Sequence, residues 1–95
     1  MRRKGELSPA RVDREYPHQV AIETSALRGA DGYLHAAFPS LAPRTRFVID
    51  ERDREYTILC FADPAEAETF RQRARGYMFD RRDMQNRHVW RRPKE

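Results

Sequence analysis

The side chains that could carry nucleophilic, proton-transfer or metal chemistry in this chain are His18, His35, His88, a single cysteine at Cys60, four tyrosines and many carboxylates. No two histidines stand at metal-ligand spacing, and one cysteine cannot make a zinc signature. Cys60 sits inside the apolar run TILCF, where a thiol acts as a small hydrophobe. A nucleophilic pair of Cys60 with His18 would require the strands that carry them to be neighbours. His35 falls near the inward stripe of a helix and reads as a packing residue, and His18, directly after Pro17, reads as a strand-entry residue. The stretch TSALRGADG offers hydroxyls and glycines after a strand, but it lacks the Gly-x-x-x-x-Gly-Lys phosphate pattern. This inventory describes a non-catalytic protein with no cofactor and no metal.

The elements that would position these side chains follow from local signals. In LSPARVDREY, Ser8 is placed as an N-cap with Pro9 at the first helical position. Leu7 and Val12 can staple that helix, Arg11 and Glu15 can pair, and Pro17 ends it. HQVAIE (18–23) is a strand. Leu27, Leu34, Phe38 and Leu41 give helical spacing, and the helix proper is expected near Asp31, stopped by Pro39 and Pro43. RTRFVID and REYTILCFA, joined by a short charged turn, predict an antiparallel hairpin. A third helix follows with Asp63 as cap, Pro64 first, Glu66 at the capping-box position and Gly76 at the C′ position. Its inward face is Ala67, Phe70 and Ala74, and its late arginines suit the helix dipole.

The order predicts an α+β chain, a small two-layer sandwich of split β-α-β type, half of a ferredoxin-like fold, preceded by a short helix. NRHVWRRP (86–93) is a candidate fourth edge strand. Residues 1–7 form a basic tail, 8–76 the single domain and 77–95 a basic segment containing aromatics.

At 95 residues the chain has room for one modest core. It is 39% hydrophobic and 36% charged, too apolar and periodic for a disordered chain. No apolar run approaches the roughly 20 residues of a membrane span, and no apolar stretch follows the basic start MRRKGELSP, so a cytoplasmic location is expected. The lone cysteine agrees with a reducing compartment. The net charge of +4 is uneven. Residues 1–4 carry three basic side chains, residues 71–95 carry nine basic and three acidic, and residues 5–70 carry seven basic and twelve acidic. An acidic body with basic ends is compatible with polyanion binding through the ends.

The third strand raises the main question. In EYTILCF, Thr57, Leu59 and Phe61 point one way, and Tyr56, Ile58 and Cys60 the other. Two helices on one side of a sheet cover only one set. The N-terminal helix could cover the other through Leu7, Val12 and Tyr16. So could the C-terminal segment, a second copy of the chain, or a ligand.

REYTILCF also resembles the signature octapeptide of the RNA-recognition motif, with Arg54, Tyr56 and Phe61 at matching positions. Glu55 and Thr57 stand where that family has glycine or a small residue, and Ile58 replaces an aromatic. The resemblance runs over REYTILCFADPAEAETF, the third strand and the start of the helix after it. It implies a ferredoxin-like sheet and a base-stacking role for exposed strand aromatics, of which Tyr56 alone is available.

Two functional readings follow. In the first, the chain is a self-associating binding or regulatory protein that uses Tyr56, Ile58 and Cys60 as its interface, with a homodimer or an unknown protein as partner. In the second, it binds nucleic acid through Arg71, Arg75, Tyr77, Arg81, Arg82, Arg87, Trp90, Arg91 and Arg92, combining phosphate contacts with base stacking. A third, mimicry of nucleic acid by the acidic run DERDRE, is blunted by the arginines within it.

Overall fold

In a computed structural model of the protein, the described residues are 8–27, 31–43, 45–84 and 89–91. Ser8 caps helix α1 (Pro9–Glu15), its Oγ accepting from the Arg11 N–H at 3.2 Å, and Arg11 pairs with Glu15 at 2.8 Å. The chain leaves the helix at Tyr16, before Pro17, and enters strand β1 (His18–Glu23). A 3₁₀ turn (Thr24–Leu27) and helix α2 (Asp31–Ala37) lead to strand β2 (Arg46–Ile49). Strand β3 (Glu55–Phe61), helix α3 (Pro64–Ala74) and strand β4 (Tyr77–Met78) follow, with a final 3₁₀ turn at Arg81–Asp83. Leu7 lies outside the described residues. Among the described residues no helix is long and apolar enough to cross a membrane.

The four strands form one antiparallel sheet in the order β2-β3-β1-β4. β3 is therefore central, as its apolar sequence predicts. The hairpin between β2 and β3 closes on Asp50. Its N–H donates to the Arg54 carbonyl, and its carboxylate accepts from the N–H groups of Arg52 and Arg54 at 2.8 and 2.9 Å. Asp53 takes the left-handed conformation this turn needs, with φ 61°.

The fourth strand is not where 86–93 was expected to place it. It is Tyr77–Met78, laid on β1 as soon as α3 ends, with Tyr77 opposite Ala21 and Met78 opposite Val20. Within 86–93, only residues 89–91 are described. Val89 bridges Ile49 in parallel, and Trp90 bridges Met84. The physical reason lies at the exit of α3. Arg75, one residue before the expected position, takes the left-handed turn (φ 57°), and the Gly76 N–H reaches back to the Arg71 carbonyl. A Cβ at Gly76 would stand 2.9 Å from both the Ala21 carbonyl oxygen and the Val20 Cγ1. Glycine here allows close approach to β1, so the chain is already seated on the free edge of β1 when it reaches Tyr77.

The Asp63 cap of α3 is formed through the Ala65 N–H at 3.0 Å, but Glu66 does not close a capping box. Its carboxylate accepts from the N–H and hydroxyl of Ser40, and the Ser40 Oγ accepts the Asp63 N–H at 3.2 Å. A serine from the loop after α2 thus takes the place of the capping-box acid and ties that loop to α3.

Candidate functional site

β3 divides the interior into two cores. On one face Leu59 and Phe61 join Val20 and Ile22 of β1 under Leu34 of α2, Phe38 just after it, and Ala67 and Phe70 of α3. The three phenylalanines of this core pack ring to ring, with centroids 5.6–5.8 Å apart. On the other face lie Tyr56, Ile58 and Cys60, the expected interface residues. They are 2%, 0% and 0% exposed, so they do not present a docking face. Val12 of α1, Val48 of β2 and Trp90 complete that second core, with Tyr16, Tyr77, Phe79 and Met84 at its margin.

Two pieces of chain seal the second face. α1 is held by Asp13, whose Oδ1 accepts from Gln19 Nε2 of β1 at 3.0 Å and from the guanidinium of Arg46 on β2. The C-terminal segment starts as β4 beside β1 and is bonded there through the Phe79 N–H to the Gln19 carbonyl. It ends beside β2, where the Trp90 N–H donates to the Ile49 carbonyl at 2.8 Å. The strap therefore joins opposite edges of the sheet. Trp90, wholly buried, meets Tyr56 edge-on at 5.1 Å and packs near Tyr77 and Phe79. Its indole N–H has no hydrogen-bond acceptor among the described residues.

This closure takes Trp90 and part of Tyr77 out of the expected nucleic-acid surface. Trp90 is core, and Tyr77 is half-buried against it, so neither is an open stacking platform. Arg71 is paired with Glu68 (Nε at 2.9 Å), Arg82 with Asp80 at 2.8 Å, and Arg91 with Glu51 at 3.5 Å. Phosphate would have to compete with these carboxylates. The pairing holds the Glu68 carboxyl down at about 2 and the Asp80 carboxyl below its ordinary range. Arg75 is exposed at the end of α3. The backbone of Arg81 lies in the last 3₁₀ turn, and Arg87 and Arg92 lie outside the described residues.

The nucleophilic pair does not form. Gln19, not His18, is opposite Cys60, and His18 is opposite Phe61, on the other face. Burial pushes the Cys60 thiol up to about 11, away from the thiolate a nucleophile needs. Among the described residues no group of three histidine, cysteine or acidic side chains could hold a metal ion.

Among the described residues both edge strands leave an apolar side chain open on the helix side, Met78 on β4 at 43% and Phe47 on β2 at more. Phe47 is opposite Thr57 and so faces the helix layer, yet it is 58% exposed. α3 packs on β1 and β3, and α2 is only seven residues long, with Phe38 directly after it meeting Phe61 and Phe70. The helical cover stops short of β2. A recess of about 210 Å³ ahead of β2 is lined by Leu34, His35, Leu41, Pro43, Thr45 and Leu59. The sequence placed Phe47 in a strand without singling it out. The signal that marks it is the register of the hairpin combined with the brevity of α2. A broader recess at the far end of β1 and β3, lined by Glu23, Thr24, Ser25, Arg54 and Glu55, carries two carboxylates.

Compared with protein-family models, with curated proteins and with solved structures, the chain matches none.

Proposed function

We propose that this chain is a small non-catalytic binding module, acting through protein contacts in a reducing compartment and built on a ferredoxin-like frame. The strand order β2-β3-β1-β4, with helices linking β1 to β2 and β3 to β4, supports that frame. The lone, buried Cys60 fits the compartment. The observation that carries the functional reading is Phe47, the most exposed large apolar side chain of the sheet among the described residues, more open than Met78 on the opposite edge. Edge strands with open backbone are templates for pairing with another chain unless they are blunted, and the short β2 is covered at Ile49 by Trp90.

The test is affinity capture from the native host after nuclease treatment, with the wild-type chain beside Phe47→Asp. Proteins retained by the wild type after nuclease and lost by the variant support the reading. Retention of nucleic acid alone, or of the same proteins by both, overturns it.

A further inference from the structure

We infer that the strap is a latch: its end beyond Phe79 lifts Trp90 off Tyr56 while β4, α1 and the first core stay closed. The inference does not depend on the Phe47 reading.

The second face has two covers, and they sit at different ends of it. α1 covers the Cys60 end. Its Asp13 reaches Gln19, which lies opposite Cys60, and Arg46, which lies opposite Ile58. Burial acts most on the Cys60 thiol, and the charges of Arg46 and Asp13 also reach it. The strap covers the Tyr56 end, where Trp90 meets the Tyr56 ring and Val48 lies opposite Tyr56. Lifting one cover therefore leaves the other in place.

The bonds of the strap are unevenly placed. On the β1 side it is seated by the pairing of Tyr77 and Met78 and by the Phe79 N–H on the Gln19 carbonyl. At the far end it is held where β2 stops. There the Trp90 N–H donates to the Ile49 carbonyl, Val89 bridges Ile49, and Arg91 pairs with Glu51, both side chains more than half exposed. An exposed pair of that kind adds little. Between the two ends the strap bonds to itself. The Asp83 N–H donates to the Asp80 carbonyl and the Arg91 N–H to the Asp83 carbonyl, both at 2.9 Å. Those bonds travel with the strap, so the groups that make them lose no partner when it lifts.

The seat of Trp90 suits its ring and not its nitrogen. The ring is wholly buried beside Tyr56, Tyr77 and Phe79, while the indole N–H is shut away from water without an acceptor. A buried donor left unpaired costs at least as much as a hydrogen bond contributes, and it regains water when the ring comes out. The closed latch is thus opposed from within. Under α1, by contrast, Asp13, Gln19 and Arg46 are bonded to one another. Lifting uncovers Tyr56, which is 2% exposed when the latch is shut, and gives the protein a second surface without unfolding it.

The chain supplies its own reporters, because it has one tryptophan and one cysteine. The test follows native-state hydrogen exchange of the full chain by NMR, and beside it the reaction of Cys60 with an aromatic disulfide. The backbone N–H and the indole N–H of Trp90 are expected to exchange through one opening. That opening should be at least about a hundredfold more populated than the one that frees the Leu59 amide, mid-sheet opposite Val20. Low guanidinium should hardly change it, since little surface is exposed. The Phe79 amide and the Cys60 thiol should open at least about tenfold more rarely than Trp90.

A Trp90 opening no more populated than that of Leu59 overturns the inference, because the strap would then leave only with the whole fold. So does an indole N–H that stays protected while the backbone N–H exchanges, which is fraying beside a seated ring. Opening of the Phe79 amide or the Cys60 thiol together with Trp90 also overturns it, since the second face would then have one cover and not two.

Discussion

Leu59 and Ile58 are neighbours on β3, yet different parts of the chain shelter them. Leu59 lies under α2 and α3, elements that lie between or directly after the strands they cover. Ile58 lies under α1 and Trp90, which come from before β1 and after β4. The first core is closed by the β-α-β-β-α unit itself. The second depends on a clamp at Asp13 and on a strap that crosses from one edge of the sheet to the other. The difference teaches that an apolar strand face is evidence of a cover, and that sequence does not say whether the cover is the chain or a partner.

The severest challenge to this comparison is Trp90→Ala. Loss of a fully buried aromatic costs about 3–5 kcal/mol, a large share of the roughly 5–15 kcal/mol that keeps a domain folded. Phe70→Ala in the first core is expected to cost the same. Chemical denaturation of both variants would show it, and a cost under about 1 kcal/mol for Trp90→Ala would make the strap an ornament.

Next is the hairpin that fixes the register of β2. Burial pushes the Asp50 carboxyl up, but the N–H donors of Arg54 and Arg52 and the Arg54 guanidinium outweigh it and hold it below its ordinary 3.8. Because the folded value is depressed, the carboxylate's contribution is complete above the ordinary value and is lost as pH falls through the folded one. Asp50→Ala is expected to cost about 2 kcal/mol near neutrality. It should also flatten the fall in stability below 3.8, as read from denaturation midpoints across an acid series.

Asp13→Ala is expected to cost about 1 kcal/mol, because it leaves the partly buried Arg46 and Gln19 without this acceptor. Hydrogen exchange should quicken in α1 and leave α3 unchanged. If both helices quicken together, the two cores are one cooperative unit. Smallest of all, Phe47→Asp should change stability by no more than about 0.5 kcal/mol, because the side chain is mostly exposed. A thermal melt checks it. A large loss would turn Phe47 into a core residue and remove it as a binding surface.

Much of the fold was legible. The caps at Ser8 and Asp63, the hairpin, and the central place of β3 follow from turn chemistry and from the apolar run EYTILCF. What escaped was non-local. β4 has two residues, too few to show a strand period, and its position depends on the contact of Gly76 with β1. Glu66 occupies a capping-box position, but Ser40, distant in sequence, claims it. Trp90 among arginines reads as a stacking residue, because sequence does not show that Tyr56 awaits it across the sheet. Of the candidate site, only the strand that holds Phe47 was visible. Its exposure depends on where α2 stops.

The strap has a consequence for the order in which the molecule can be completed. Synthesis delivers Tyr56, Ile58 and Cys60 well before it delivers Trp90, and domains begin to fold while the chain is still emerging. For that interval a growing chain carries a nearly finished sheet with one greasy side covered by α1 alone. Whatever attends it on the ribosome meets a surface that the finished, closed protein does not show.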